Sequence, residues 1–364
     1  MIKDIDTMKI AIIGAGISGL ACAFELKKHG IIPTIFERRH QVGEVLGYPT
    51  LMLRMLTRNI NNPMKYLRNE FGLNISPLSQ LRKIEMVSPN RRRIIKGNHG
   101  YIFIRGAEQD SLENQIYKQA GLPVVFDTYV DPDNIKNDFD YIIVAVGDNS
   151  IGIKMGIWET TFSAMNRVAT VLGDFETKSA EVWLDTRFAK NAFAYLIAET
   201  PHKAKLSIVV NNISSYELDY YWKEFLSMND FPYHIIETKE MEHDAGFAYP
   251  VRINNIYFTG NSAGMTCSFI GLGSFRAIQS GIFAALSIAK GFDYTKLMQP
   301  LIDEVRIYNE FRKAVNALDN RGFDSLVSTL GFPVIKQILY NNPFFKAAYG
   351  DSLIRAFNRH MRKL

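Results

Sequence analysis

The chain has 364 residues, of which 47% are apolar and 22% charged, a composition typical of a globular protein with two or three structural units. The net charge of +5 is too small to indicate nucleic-acid binding without a local basic cluster. The two cysteines, Cys22 and Cys267, are too few for a disulfide scaffold, a four-thiolate metal site or an iron–sulfur cluster.

Several absences in the sequence indicate a cytoplasmic protein. Residues 1–6 carry charges where a signal peptide needs an apolar core, so we expect no secretion signal. No apolar run reaches the roughly 20 residues that span a bilayer, since the best candidate, 270–289, contains Arg276 and Gln279. The histidines and cysteines lack the spacing of a metal site, so we predict no bound metal.

The hydrophobic pattern predicts alternating strands and helices at both ends of the chain, with mostly strands between them. The predicted strands cover residues 9–13, 33–36, 81–88, 92–96, 101–105, 124–126, 141–146, 160–172, 180–185, 192–198, 205–210 and 255–259. One predicted helix runs through Leu20, Ala23, Phe24 and Leu26 and stops at His29-Gly30. Further predicted helices cover residues 62–71, 107–120, 215–228 and 275–290, and residues 291–364 are predicted to be helical and amphipathic.

This order of elements predicts an α/β fold in which a nucleotide-binding unit is interrupted by an antiparallel sheet unit. Residues 1–80, 101–150 and 246–290 form the predicted Rossmann-like cofactor domain. Residues 81–100 and 151–245 form the predicted substrate domain, and 291–364 a C-terminal helical segment.

The first loop has the pattern of a dinucleotide site, Gly14-Ala15-Gly16-Ile17-Ser18-Gly19, between a strand and a helix. Gly14 permits a tight turn, Gly16 lets the backbone approach a pyrophosphate, and Gly19 allows close helix–strand packing. Glu37, at the end of the next strand, is placed to accept hydrogen bonds from ribose hydroxyls. We therefore predict adenine-dinucleotide binding, the alternative being a glycine-rich turn without a ligand.

A second glycine-rich region follows the strand at 255–259. It consists of Gly260-Asn261-Ser262-Ala263-Gly264, then Ser268-Phe269-Ile270-Gly271-Leu272-Gly273, then a helix. Here the chain resembles the para-hydroxybenzoate hydroxylase-like FAD superfamily and, within it, the geranylgeranyl reductase family. Arg105 matches the superfamily's FAD-contacting arginine, and residues 145–150, Ala-Val-Gly-Asp-Asn-Ser, resemble its middle motif. The similarity extends over roughly residues 8–290.

The resemblance implies FAD as the cofactor and a set of residues that contact it. These residues are Gly14, Gly16, Ile17, Ser18, Gly19, Glu37, Arg38, Glu44, Val45, Leu46, Gly47, Arg105, Val130, Gly147, Gly260, Asn261, Gly264, Gly271, Leu272 and Gly273. A helix that begins near Ser274 would direct its positive end at the flavin N1–C2=O edge. The alternative is that Ser274 caps a helix with only a packing role.

Four positions depart from the family pattern. Asn261 replaces an aspartate, Val146 replaces the aspartate of the middle motif, and Ser268 replaces a proline. Leu46 stands where many geranylgeranyl reductases have the cysteine of a Cys-Gly pair, so the redox thiol of that position is absent. An amide still bonds a ribityl hydroxyl, so Asn261 is compatible with FAD.

One complete dinucleotide motif indicates that there is no dedicated NAD(P)H domain. Electrons would then come from a ferredoxin-like carrier, which we favour, or from transiently docked NAD(P)H. We expect no nucleic-acid partner.

The leading hypothesis is an ene reductase that saturates C=C bonds of a prenyl or other apolar substrate by hydride transfer from flavin N5. The alternatives are a single-component FAD monooxygenase and a degenerate flavoprotein with an electron-transfer or binding role. No acid or base is assigned. Tyr195, Phe269 and Cys267 are the predicted substrate-side residues, and Trp183, Phe193 and Ile197 are predicted to share the apolar wall. For Cys267 we favour a packed, buried thiol.

Other charged residues have structural interpretations. Glu240, Glu242 and Asp244 alternate along a strand and are predicted to form a solvated stripe, with His243 as a core residue on the opposite face. The basic segment with Arg355, Arg359, Arg362 and Lys363 is compatible with peripheral contact to an anionic membrane, although we favour a packing helix.

Overall fold

The computed structural model describes residues 8–43, 47–57, 60 and 62–330. The strands are β1 (Ile10–Ile13), β2 (Thr34–Phe36), β3 (Tyr48–Leu53), β4 (Ser79–Ser88), β5 (Arg91–Arg105), β6 (Val124–Val125), β7 (Tyr141–Val144), β8 (Trp158–Leu172), β9 (Ser179–Trp183), β10 (Phe193–Thr200), β11 (Lys203–Asn211), β12 (His234–Ala248), β13 (Arg252–Ile253) and β14 (Ile256–Phe258). The helices are α1 (Ile17–Lys28), α2 (Pro63–Phe71), α3 (Leu112–Ala120), α4 (Pro132–Ile135), α5 (Ser150–Lys154), α6 (Thr186–Ala189), α7 (Leu218–Met228), α8 (Ser274–Lys290), α9 (Tyr294–Asn316) and α10 (Asn320–Leu330).

The first sheet has six strands in the order β13-β14-β7-β1-β2-β6, and all neighbours are parallel except β13 and β14. The central strands β1 and β7 read Ile-Ala-Ile-Ile and Tyr-Ile-Ile-Val, and seven of these eight side chains are buried. Continuous apolar runs are expected in parallel strands, because such sheets are covered on both faces.

Helices α1 and α8 pack backbone to backbone beside this sheet. A Cβ added at Gly281 of α8 would collide with the carbonyl oxygen of Ser18 in α1. A Cβ added at Gly260, in the loop that follows β14, would lie 2.5 Å from Ser18 Oγ. The contact brings together two regions that are more than 240 residues apart in sequence.

The second sheet has eight strands in the order β12-β8-β11-β10-β9-β4-β5-β3. Its neighbours are antiparallel apart from the β4–β9 pair. Helix α7 covers one face, where Trp222 and Phe225 join a core with Leu206 and Ile208 of β11. The other face carries Phe162, Phe193 and Tyr195.

The predicted α/β fold with interleaved units is confirmed, but several elements differ from the prediction, among them the short elements β13, α4, α5 and α6, which were not predicted. Residues 92–96 and 101–105 belong to one strand, β5, because Gly100 takes a φ of +132° and keeps the backbone extended instead of turning. Its missing Cβ also lets β3 approach, since a Cβ there would collide with Met52 O. The strand β3 was not predicted at all.

The boundary between the two sheets along the chain also differs from the predicted one. Residues 48–53 and 101–105, which the pattern assigned to the cofactor domain, lie in the eight-stranded sheet. Within 291–330, the helices α9 and α10 form as the amphipathic pattern predicts. Among the described residues, no helix combines the length and hydropathy needed to cross a membrane.

Candidate active site

A cavity of about 1050 Å³ joins the two sheets. It extends from the glycine loop after β1 to the face of β8 and β10 that α7 does not cover, and on to the helices α9 and α10. Typical small-molecule sites occupy roughly 300–1,000 Å³, so the space is large enough for a long ligand.

The glycine loop opens one end of this cavity. Gly14 has a φ of +106°, and a Cβ there would lie 2.6 Å from Ala145 O. At Gly16 the nearest atom to an added Cβ would be 4.0 Å away, so this residue faces open space. Gly16 also caps α1, and within the described part of the chain no side-chain hydrogen bond caps this helix end. An uncapped helix N-terminus beside a bare backbone is a fitting site for a pyrophosphate.

Glu37 lies at the end of β2 and is nearly buried. Its Oε2 accepts a hydrogen bond from Ala15 N–H at 2.8 Å, and its Oε1 accepts one from Arg39 N–H at 3.0 Å. Each carboxylate oxygen has a second lone pair for a further donor. The side chain is therefore held in place and can still accept bonds from vicinal hydroxyls of a ribose.

Two charged pairs border the same end of the cavity. Arg105 Nε donates to the buried Glu113 Oε1 at 2.5 Å, and its guanidinium lies 5.9 Å from the Tyr48 ring centre. Arg38 lies 3.2 Å from Asp148. These contacts orient both predicted cofactor arginines along the cavity wall.

Asn261 connects the two later motifs. Its Nδ2 donates to Gly147 O at 3.1 Å, and its Oδ1 accepts a hydrogen bond from Thr266 Oγ1 at 2.6 Å. A carboxylate at this position would have no donor for the Gly147 carbonyl. The amide at this position thus has a local structural reason, which the sequence did not reveal.

The second helix N-terminus in the cavity belongs to α8. Gly273 is its N-cap and no side chain caps it, so Ser274 does not have the capping role of the alternative interpretation. The preceding loop is braced by hydrogen bonds from Gly271 N–H to Cys267 O at 2.7 Å and from Cys267 N–H to Leu272 O at 2.9 Å. Two uncapped positive helix ends therefore open into one cavity.

The far wall of the cavity is mostly apolar, and a polar cluster forms around Tyr195. The Tyr195 hydroxyl is in hydrogen-bond contact with Ser207 and Asn166, and Ser207 Oγ donates to Asn166 Oδ1 at 2.6 Å. Burial raises the pKa of Tyr195 above its ordinary value of 10.0, so the phenol stays protonated at neutral pH. Phe269 and Ile197 also line this wall.

The structure brings most predicted site residues to the cavity wall. Those that line it are Gly14, Gly16, Ile17, Ser18, Glu37, Arg38, Arg105, Val130, Gly147, Gly260, Asn261, Gly271, Leu272, Gly273, Tyr195 and Phe269. Glu44, Val45 and Leu46 lie outside the described residues.

Four predicted residues lie away from the cavity wall. Gly19 and Gly264 are packing glycines, since a Cβ there would collide with Gly14 O and Gly246 O respectively. Gly47 is packed against the Glu108 carboxylate in the same way. Cys267 is fully buried in an apolar cluster, and burial raises the pKa of its thiol, as expected of an inert cysteine.

Trp183 also differs from its predicted place. It pairs with Ala194 of β10, and strand alternation directs both to the α7 face, where Trp183 packs 5.7 Å from Phe225. Phe193 and Tyr195, one residue on from Ala194 on either side, face the cavity.

On β12, Glu240 and Asp244 have polar partners, while Glu242 and His243 both line the cavity. Glu240 pairs with Arg167, and Asp244 Oδ2 accepts a hydrogen bond from Asn149 Nδ2 at 3.1 Å. His243 lines the cavity, and its buried Nε2 has no hydrogen-bond partner among the described residues. It is therefore a cavity residue and not a satisfied core histidine.

Two cavity residues carried no signal in the sequence pattern. Asn166 lies mid-strand in β8, and Arg312 lies in the middle of the amphipathic helix α9. Neither residue belongs to a sequence motif. Both line the cavity because β8 and α9 each form part of its wall.

Comparison with known proteins identifies the fold. Residues 12–47 match the NAD(P)-binding Rossmann-like domain family. A geranylgeranyl bacteriochlorophyll reductase-like protein from Thermoplasma acidophilum superposes with a TM-score of 0.74 at 14% identity, over 98% of this chain and 99% of that one. The chain has the fold of the FAD-dependent oxidoreductases.

Other solved structures share this fold at similar identity. A flavoprotein/dehydrogenase from Cytophaga hutchinsonii gives a TM-score of 0.66 at 15% identity over 97% of this chain and 99% of that one. A p-nitrophenol 4-monooxygenase from Pseudomonas putida gives 0.60 at 13% over 96% and 98%. The predicted resemblance is confirmed at the level of the fold. The prediction of FAD is supported by the fold, the two helix N-termini and Glu37.

Proposed function

We propose that this protein is an FAD-dependent ene reductase that saturates C=C bonds of an apolar substrate. The observation that carries the proposal is the continuous cavity, which leads from residues that fit FAD to a mainly apolar wall. The higher TM-score of the reductase-like protein from Thermoplasma acidophilum, 0.74 against 0.60 for the p-nitrophenol 4-monooxygenase, supports a reductase over a hydroxylase.

In this proposal Gly16, Glu37 and the α1 N-terminus bind the ADP half of FAD, while Asn261 and the α8 N-terminus bind the flavin half. When bound, FAD supplies a two-electron reductant. The α8 N-terminus, with its partial positive charge, would favour negative charge on a ring bound beside it. Electrons reach the site from a ferredoxin-like carrier or from NAD(P)H.

Saturating an alkene also needs one proton on the second carbon, and we assign it to the Tyr195 hydroxyl. This phenol is a partly buried donor on the mainly apolar wall, and Asn166 and Ser207 orient it. Exchange with solvent restores the proton after each turnover.

The first test is a visible spectrum of the purified protein, then anaerobic reduction with dithionite and, separately, with NADPH. We expect a flavin spectrum that dithionite bleaches, and anaerobic reoxidation of the reduced protein by geranylgeraniol or geranylgeranoic acid. Fast bleaching by NADPH and substrate-stimulated oxygen uptake would instead identify a monooxygenase. Absence of flavin after FAD addition would exclude both enzymes and favour a binding role.

The proton assignment predicts that Tyr195→Phe slows alkene-driven reoxidation by about 100-fold or more, since general-acid catalysis contributes roughly 10²–10⁴-fold. Reduction by dithionite and the flavin spectrum should stay unchanged. Tyr308→Phe is the matched control, because Tyr308 lines the same cavity and its hydroxyl donates to Met55 O at 3.2 Å. Equal rates for Tyr195→Phe and wild type would rule out the assignment.

A further inference from the structure

Arg312 is a buried cation on the wall of the cavity. Its side chain is 1% exposed, and its guanidinium lies 5.3 Å from the centre of the Phe162 ring. Its Nε donates to Asn316 Oδ1 at 2.8 Å, and its Nη2 donates to Asn191 O at 2.5 Å. These two contacts use neutral acceptors and fix the orientation of the guanidinium.

The charge of Arg312 is not balanced by any described carboxylate. No Asp or Glu among the described residues lies within 4.0 Å of it, whereas the equally buried Arg276 lies 3.7 Å from Glu304. Burial lowers the pKa of Arg312 to about 10, which still leaves the group positive at neutral pH. A buried charge without a counter-ion is costly, so a bound anion at this position would be strongly favoured.

The guanidinium has unused hydrogen-bonding capacity. An arginine has five N–H donors, and the contacts to Asn316 and Asn191 account for Nε and part of Nη2. Planar donors of this kind bind carboxylate oxygens in pairs.

The surroundings of Arg312 define the rest of the ligand. The neighbouring cavity wall is mainly apolar, with Phe162, Phe311, Val315, Phe323 and Leu326, and it also includes Asn191 and His243. The other arginines paired at the cavity wall, Arg38 and Arg105, already have the partners Asp148 and Glu113. The positive charge of Arg312, which has no carboxylate partner among the described residues, matches a singly charged carboxylate better than a diphosphate.

We propose that Arg312 binds the carboxylate of the substrate, so that the enzyme acts on an apolar acid. This inference rests on the proposed function and narrows its substrate class. Phe162 and the α9 side chains then hold the apolar part, with the carboxylate anchored at one end.

The test is a calorimetric titration of the FAD-loaded protein with decanoate, 1-decanol and decyl phosphate. Charged hydrogen bonds of this kind favour binding by about 10-fold or more, so we expect decanoate to bind at least 10-fold tighter than 1-decanol. We expect decyl phosphate to bind more weakly than decanoate. Equal affinity for decanoate and 1-decanol would overturn the proposal, and tighter binding of decyl phosphate would overturn the carboxylate assignment.

Variants test the residue itself. Arg312→Gln should abolish the preference for decanoate, and Arg312→Lys should retain part of it. Arg306→Gln is the matched control, since Arg306 lies on the same helix but is 57% exposed. If Arg312→Gln retains the preference, or loses FAD while folded, Arg312 does not bind the substrate carboxylate.

These titrations use the oxidised protein and require no turnover. Tight decanoate binding without alkene reduction would leave the anion site in place and contradict the ene reductase. Alkene reduction without a preference for decanoate would support the ene reductase and overturn the assignment of Arg312 as the carboxylate site. The comparison of ligands on wild-type protein holds even if Arg312→Gln fails to fold.

Discussion

At the scale of single residues, the site depends on polar groups whose local partners decide their chemistry. Glu37 is the clearest case, because each of its two carboxylate oxygens accepts a hydrogen bond from a backbone N–H group. Glu37→Gln offers only one acceptor oxygen to the two N–H groups and loses the charge that binds ribose hydroxyls. We expect FAD affinity to fall by about 10- to 100-fold, measured by quenching of flavin fluorescence.

The control for this variant is Glu310→Gln, an exposed glutamate of α9 paired with Lys313. Its FAD affinity should equal that of wild type. An unchanged affinity in Glu37→Gln would mean that this carboxylate does not bind the ribose.

His243 predicts how stability depends on pH. Burial holds its pKa below the ordinary 6.5, with Asp244 acting in the opposite direction to a smaller extent. The unfolded chain therefore binds more protons than the folded one as pH falls below about 6.5. The contribution of the neutral His243 to the free energy of unfolding is fully present above that pH and decreases below it. The thermal unfolding midpoint should therefore fall more steeply between pH 8 and 5 in wild type than in His243→Asn.

His202→Asn provides the comparison, because its side chain is 81% exposed and should leave the pH dependence as in wild type. Parallel curves for His243→Asn and wild type would contradict the role of burial at His243.

At the scale of elements, the turn from β1 to α1 separates a folding role from a binding role. Gly14→Ala places a Cβ 2.6 Å from Ala145 O at a φ of +106°, and we expect a loss of about 2–4 kcal/mol in the free energy of unfolding. Gly16→Ala meets no atom closer than 4.0 Å, so the apo protein should keep its stability. Its methyl group would occupy the space of the pyrophosphate, so FAD binding should be lost.

Both variants are to be compared by denaturant unfolding of apo protein and by FAD titration. Gly30→Ala controls for the cost of a positive φ, here +77°, because nothing lies within 4 Å of its added Cβ. A Gly16→Ala protein that binds FAD normally would show that the pyrophosphate lies elsewhere.

At the scale of the whole molecule, one cavity is built by both sheets and by α9. FAD should therefore bind the folded chain and not the unfolded one. At a free concentration one hundred times its Kd, it should raise the free energy of unfolding by about 2.7 kcal/mol. Riboflavin, which lacks the ADP half, should give a much smaller shift in the thermal midpoint, and equal shifts would contradict the assignment of the α1 end to ADP.

The electron donor and the membrane contact stay predictions at this scale. The basic segment with Arg355, Arg359, Arg362 and Lys363 lies outside the described residues. A ferredoxin-like carrier remains our preferred donor because Val146 replaces the aspartate of the middle motif, which in the hydroxylases of the resembled superfamily helps to receive NADPH.

The sequence by itself determined the elements whose signals are local. The continuous apolar strands, the glycine turn and Glu37 placed the cofactor end of the cavity, because strand period, turn geometry and a terminal carboxylate are all properties of short segments. The described residues predicted there line the cavity, apart from those that act as packing glycines, and Glu44, Val45 and Leu46 lie outside the described residues.

Only the tertiary structure decided which distant segments meet. Gly100 looked like a turn residue, yet the approach of β3 keeps it within a long strand. Strand alternation alone did not reveal which face α7 would cover, so Trp183 was assigned to the wrong wall. Arg312 resembled any basic residue of an amphipathic helix, and its missing counter-ion became visible only when α9 packed beside β8. Burial and charge pairing depend on the whole fold, and for that reason the substrate end of the cavity could not be predicted from local pattern.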